Sequence, residues 1–405
     1  MKKLFLILLT ASVLMVSCKK DPKVEDPKPE QESTVLKGVL TENKTLTSDK
    51  IWYLEGRVVV PDGKTLTIDE GTIIKGKPGS GADASVLIIA RGGKIMANGS
   101  ASKPIIFTAD ADNITVGQKF GTNLSVTDNG LWGGVIILGK AKGSFSGDVS
   151  EFSIEGIPAS DNNGKYGGND DGDNSGVFKY VSIRHGGSEI GAGNEINGLS
   201  LGCVGNQTTI NHIEIVGNKD DGIEHFGGAA QESEILIYGC NDDGLDIDQA
   251  YHGSITNSVV IKGGNSDSGL EIDGGEGTYQ DSFTMQNITI IGDSLSDTKY
   301  ADFRDGAMGT IQNVYAYNFK DDSKIRIKDD ESANNFNSGQ LAFQNWQIAL
   351  PNGTTAQDII DNNSNVSVPN FESGTFIVPT IQGTQTVGAD LNEFAWTYAK
   401  HDGAF

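Results

Sequence analysis

One short phrase recurs between His212 and Lys328, and it constrains the fold more than any other feature of the chain. Ile213, Glu214 and Ile215 lead to Ile223, Glu224, His225 and Phe226. Ile235, Leu236 and Ile237 lead to Leu245, Asp246, Ile247 and Asp248, and Val259, Val260 and Ile261 lead to Leu270, Glu271, Ile272 and Asp273. Two further rounds run from Ile288 to Arg304 and from Val314 to Lys328. The phrases return at roughly 22 to 29 residues, the period of a solenoid of stacked coils. Each alternates apolar and polar residues, as a half-buried strand does, so a coil holds at least two strands and successive coils stack in parallel. Alternation also sorts the side chains. With Ile223, Leu245, Leu270, Ala301 and Ile325 pointing inward, Glu224, Asp246, Glu271, Asp302 and Arg326 form one outward column. Phe226, Asp248, Asp273, Arg304 and Lys328 form the next. An Asp recurs three residues before the inward anchor, at Asp220, Asp242, Asp267 and Asp322. Gly222, Gly244 and Gly269 stand just ahead of the strands, where a tight and left-handed corner is expected.

The 53 Gly and 10 Pro among 405 residues fit a turn-rich all-β solenoid, which grows in one dimension and runs this long as one body. The net charge of −23 argues against nucleic acid and anionic lipid as partners and is compatible with cations. Cys203 and Cys240 fall at unmatched positions of different coils and are expected as buried free thiols.

Residues 1–17 read as a signal peptide: Lys2 and Lys3, an apolar run from Leu4 to Val16, then Ser17. Met15, Val16, Ser17 and Cys18 resemble a bacterial lipobox with Met in place of the usual Leu. That resemblance implies acylation of Cys18 and a membrane partner held through the lipid. Residues 18–34, rich in Lys, Pro, Glu and Asp, are expected to be a solvated tether. The start at Cys18, Lys19, Lys20 and Asp21 resembles lipoproteins of the Bacteroidota, which implies an outer-membrane, cell-surface location. From residue 35 onward, short strands alternate with turns. A Trp-containing strand at Trp52, the stretch Gly63-Lys64-Thr65-Leu66-Thr67-Ile68, and Pro104-Ile105-Ile106-Phe107-Thr108 resemble the N-terminal half of right-handed parallel β-helix lipoproteins of that group. Trp132 to Gly139 and Tyr180 to Arg184 continue the likeness. It implies a right-handed parallel β-helix over residues 35–330.

Residues 143–176 are rich in Gly, Asn and Asp and are expected to leave a coil corner as a surface loop without a core of its own. They lack the ligand spacing of a calcium loop. Beyond Lys328 the repeat fades, and residues 331–405 are expected to supply C-terminal strands and the cap that a solenoid end requires.

Neighbouring strands lie about 4.7–4.9 Å apart, so the carboxylates of Glu224, Asp246, Glu271 and Asp302 stack at near-contact spacing. Like charges at about 4 Å repel by on the order of 1 kcal/mol even in water. Splayed rotamers, raised pKa values, Arg304 and Arg326, or a bound cation must relieve that. Asp246, Asp248, Glu271 and Asp273 bring four carboxylates onto adjacent coils, and oxygen-only ligands favour Ca²⁺. Asn241-Asp242-Asp243-Gly244-Leu245-Asp246 and Arg326-Ile327-Lys328 resemble motifs of polygalacturonases. The resemblance implies Asp243 or Asp246 as a catalytic carboxylate and Arg326 and Lys328 as uronate ligands. The Gly-His-Gly loop of that family has only Tyr251-His252-Gly253 as a counterpart. His225 falls at an inward position and is expected in the core. No complete catalytic constellation emerges. The expected function is therefore that of a non-enzymatic, envelope-anchored binding or scaffold protein, presenting an acidic face to a glycan, a cation or an envelope protein. Its ligand-contacting residues would be Glu224, Asp246, Asp248, Glu271, Asp273, Asp302 and Arg304. The alternative is a lyase or hydrolase of uronate-containing polysaccharides.

Overall fold

The computed structural model describes residues 33–191, 194–296 and 298–405. The signal peptide, Cys18 and nearly all of the tether lie outside the described residues. Among the described residues no helix is long and apolar enough to cross a membrane. The chain is a right-handed parallel β-helix, its strands joined in one 24-stranded sheet.

Each regular coil contributes to three strand columns. Counted along each coil, the phrases at Ile213, Ile235, Val259, Ile288 and Val314 lie in the second column, and those at Ile223, Leu245, Leu270, Ala301 and Ile325 in the third. The first column, not separated in the sequence, occupies the first halves of long strands such as Thr209–Val216, Gln231–Tyr238 and Ser254–Ile261. These strands bend in mid-course at His212, Glu234, Asn257, Asn287, Asn313 and Asn345, whose φ values lie between 51° and 59°. Asn tolerates this left-handed conformation better than most residues. Its amides also bridge coils, with Asn313 Nδ2 donating to Asn287 Oδ1 (3.3 Å) and Asn345 Nδ2 to Asn313 Oδ1 (3.0 Å).

Ile213, Ile215, Ile223, Ile235, Leu245 and Leu270 point into the bore and are fully buried, as alternation requires. A polar pair interrupts this apolar stack. His225 and Glu232 meet inside it at 2.8 Å, and the other ring nitrogen of His225 lies 3.0 Å from Asp246 O. Cys203 and Cys240 are buried free thiols.

The glycines ahead of the third column serve a different purpose from the expected left-handed corner. None of Gly222, Gly244 and Gly269 has a positive φ. A Cβ on Gly222 would lie 2.5 Å from Ile237 Cγ2 and 2.6 Å from Gly244 O, so close approach of successive coils demands glycine there.

Residues 143–176 correct a second expectation, because they do bury a core. Phe152–Ser153 and Lys165–Tyr166 form an antiparallel pair, and Phe145, Ile154, Ile157 and Tyr166 pack with Ile136, Leu138 and Phe226. The segment is a small lobe seated on the outside of the third column.

The repeat also continues past residue 330. Leu341–Ile348, Ile360–Asn362 and Ile377–Pro379 extend the columns, with the helix Asp330–Ser338 between coils. Phe336, Phe343, Trp346, Phe371 and Phe376 cluster at this end. Residues 380–405 then turn back along the outside of the second column. The outward residues there are Ser182, Glu214, Leu236, Val259, Thr289, Tyr315 and Gln347. Thr386 N donates to Gln347 Oε1 (2.7 Å), Ala389 N to Thr289 Oγ1 (2.9 Å), and Ala399 N to Glu214 Oε1 (2.9 Å). Leu236 and Val259 are buried with Phe394 and Ala399. Beneath the tail, Arg184 Nε donates to Ser182 Oγ (2.8 Å), Ser182 Oγ donates to Glu214 Oε2 (2.6 Å), and the guanidinium lies near the rings of Phe120 and Tyr398.

Candidate functional site: an acidic cleft on the third column

The register places Glu224, Asp246, Glu271, Asp302 and Arg326 in one column, each beside the next. Phe226 pairs with Asp248, and Asp273 with Arg304. These side chains face away from the bore, yet Asp246 is only 8% exposed, Glu271 5% and Asp302 0%. The outward ladder is thus largely buried. Its upper part opens into a cleft of ≈ 300 Å³, lined by Asp221, Glu224, Asp243, Asp246, Glu271 and Arg304 among others. Glu155 reaches the cleft from the lobe, and Asn194 and Glu195 reach it from the short antiparallel pair with Glu189–Gly191.

Cations divide the ladder in two. Arg304 contacts Glu271 through Nη2 and Asp273 through Nε (2.7 Å). Arg326 Nε donates to Asp302 Oδ1 (2.8 Å), and Lys299 lies 3.5 Å from the same carboxylate. Burial would raise the Asp302 pKa, but the Arg326 hydrogen bond and the charges of Lys299 and Arg326 outweigh it and hold it below the ordinary value. Arg304 and Arg326 are therefore already committed, and Lys328 is exposed beyond them.

The other half is a concentration of carboxyl groups. One carboxylate oxygen from each of Asp221, Glu224 and Asp246 lies within 4.8 Å of the others, and the same holds for Asp220, Asp221 and Asp242 and for Asp242, Asp243 and Asp267. Burial, followed by the charge of Glu224, pushes Asp246 well above the carboxylate range. Burial and neighbouring acids do the same to Asp221 and Glu224. Burial first, then nearby carboxylates, puts Asp220 and Asp248 at about 7 and Asp243 at about 6. The same cause lifts Glu271 to about 9 and Asp273 to about 6, against the pull of Arg304.

Local geometry explains part of this placement. Asp221 Oδ1 accepts from Asp243 N (2.8 Å), and Asp243 Oδ1 accepts from Ser268 N, so each Asp holds the turn of the next coil. Asp243 thus has a structural task on one oxygen. Glu224 Oε2 accepts from the amide of Asn197. Among the described residues Asp246 Oδ1 has no hydrogen-bond partner despite its burial. His252 lies 3.3 Å from Asp171 and is not among the residues lining the cleft, so the structure does not bring it to Asp243 and Asp246.

Sequence reasoning missed Asp221, Glu155 and Glu195. Asp221 had a signal, because Asp-Asp-Gly occurs at both 220–222 and 242–244. Glu155 had none, since it arrives on a lobe read as a featureless loop.

A family model for the pectate-lyase-like β-helix domain matches residues 38–397. No curated protein and no solved structure matches the chain. The strand columns, the outward acidic face and a match over nearly the whole described chain lead to one conclusion: this chain belongs to the family of pectate-lyase-like β-helix domains.

Proposed function

We propose that the protein is an envelope-anchored glycan-binding lipoprotein, tethered at the outer membrane through acylated Cys18, whose acidic cleft receives its ligand without turning it over. The observation that carries this reading is the commitment of the cationic side chains. A uronate-cleaving site needs free positive charge to hold its substrate, and here Arg304 is engaged by Glu271 and Asp273 and Arg326 by Asp302. Membership of a pectate-lyase-like family supports a polysaccharide as the ligand class. It also keeps the alternative open, a lyase or hydrolase using Asp243 or Asp246 with Arg326 and Lys328.

Ca²⁺ is the metal ion we propose for the cleft, since its hard oxygen donors suit that ion. Arg304 already contacts Glu271 and Asp273, which moves the proposed site from Asp246, Asp248, Glu271 and Asp273 toward Asp221, Glu224 and Asp246.

The test is a panel of neutral, uronate-containing and amine-containing polysaccharides, assayed for binding and for new reducing or unsaturated ends, in millimolar Ca²⁺ and in chelator. Binding without product is expected. Turnover of a uronate polymer that disappears in Asp246→Asn would replace this reading with the enzymatic one. A melting temperature unchanged by Ca²⁺ would remove calcium from the proposal, because an ion specific to the folded state must raise it.

A further inference from the structure

The size and donor demand of the cleft exceed what a metal ion alone satisfies. At ≈ 300 Å³ the cleft is many times larger than a single ion, so an ion would leave most of it to solvent. Its lining includes Glu155, Asn194 and Glu195 at the rim but, among the described residues, no aromatic ring, which leaves a neutral sugar without a stacking surface. The carboxyl groups of Asp221, Glu224 and Asp246 offer no welcome to a uronate, and Arg304 is occupied.

Those three side chains do match one organic group. A primary ammonium has three N–H donors in tetrahedral array and no acceptor. With charge-assisted N–H···O distances of about 2.7–2.9 Å, the three accepting oxygens stand roughly 4.5 Å apart. Oxygens of Asp221, Glu224 and Asp246 lie within 4.8 Å of one another. Among the described residues Asp246 Oδ1 has no partner and is buried, an acceptor awaiting a donor. Leaving such a group unsatisfied is costly, so a donor that reaches it is strongly favoured.

Building on the glycan-binding reading, we propose that the sugar received by the cleft carries a free primary amine, with its ammonium group held by Asp221, Glu224 and Asp246. The ligand class is a glycan containing de-N-acetylated amino sugars. An N-acetylated sugar offers a neutral amide with a single N–H and a bulky acyl group in its place, and does not fit the same three acceptors. Burial and mutual repulsion favour protonated carboxyls in the empty cleft, so the ammonium binds by displacing protons from them, and Ca²⁺ competes for the same oxygens.

The test is calorimetric titration of the full chain at pH 6.5 in chelator, with glucosamine oligomers and with N-acetylglucosamine oligomers of equal length. The glucosamine form is expected to bind at least about tenfold more tightly, as the loss of charge-assisted hydrogen bonds implies. Asp246→Asn and Glu224→Gln should each erase about tenfold of that preference, and added Ca²⁺ should weaken it. A thermal melt checks that both variants fold, and the comparison of the two oligomers on the unaltered protein decides the matter even if one does not. Equal affinity for the two forms overturns the amine proposal and leaves glycan binding standing. So does binding of neither form when another glycan of the panel binds. If no glycan of the panel binds, the underlying reading falls with it.

Discussion

Asp248 illustrates how a single outward carboxyl can act against the fold that holds it. Burial, and then the charge of Asp273, puts its pKa at about 7, while an unfolded Asp titrates near ~3.9. The folded state therefore keeps a proton that the unfolded state releases, and this contribution to stability is lost as pH rises from about 4 through about 7. Asp220, Asp243, Asp273 and Glu271 share the sign, so the window for these groups together extends from about 4 to about 9. Asp248→Asn keeps an acceptor for Gln249 N, which Oδ1 now serves at 2.6 Å. The variant should gain on the order of 2 kcal/mol at pH 8 and converge with the parent toward pH 4, as thermal melts at the two pH values would show. A lower melt at pH 8 would mean that the ionised form is compensated in place. At this scale the sequence was informative about direction and silent about depth. Alternation put Glu224, Asp246 and Glu271 on the outward face, but the cleft around them is completed by Glu155 and Glu195, which come from separate excursions of the chain.

Among the elements, the glycine row and the bent strands set the geometry. A Cβ on Gly244 would lie 2.5 Å from both Gly269 O and Val260 Cγ1, so neither backbone nor core can yield cheaply. Gly244→Ala should destabilise the protein by about 1–3 kcal/mol or more. Gly264→Ala, whose Cβ finds its nearest atoms at 3.5 Å, should be near neutral in the same denaturant titration. Equal effects would show that the coils can spread at Gly244. The repeat made two of the three columns readable, because its strands begin after Gly or polar turns. The remaining column escaped notice because Asn257, Asn287 and Asn313 bend one continuous strand without a Gly or Pro to punctuate it. It also carries Glu232 at an inward position, where a polarity pattern points the wrong way. The lobe at 143–176 was misread for the converse reason: Phe145, Ile154, Ile157 and Tyr166 are too sparse to signal a core, but they borrow one from Ile136 and Leu138.

Over the whole molecule, residues 380–405 link coils that are distant along the solenoid, from Gln347 to Glu214. Truncation after Pro379 should uncover Leu236 and Val259, worth about 1.5–3 kcal/mol each when buried. It also removes Tyr398 and the Ala399 amide from Arg184 and Glu214. The truncated chain should keep a β-type circular dichroism spectrum, melt earlier and bind a hydrophobic dye that the intact protein excludes. An unchanged melt would reduce the tail to decoration. This arrangement has a bearing on biosynthesis. On the proposed export route the chain enters the envelope N-terminus first, coil by coil, and residues 380–405 appear only after every coil they touch. Coils around Glu214 can close early, yet their outer strip stays open until the tail arrives. A stalled or clipped product therefore displays an oily stripe that a finished molecule hides, which gives cellular proteases and chaperones a direct mark of whether this segment has been made.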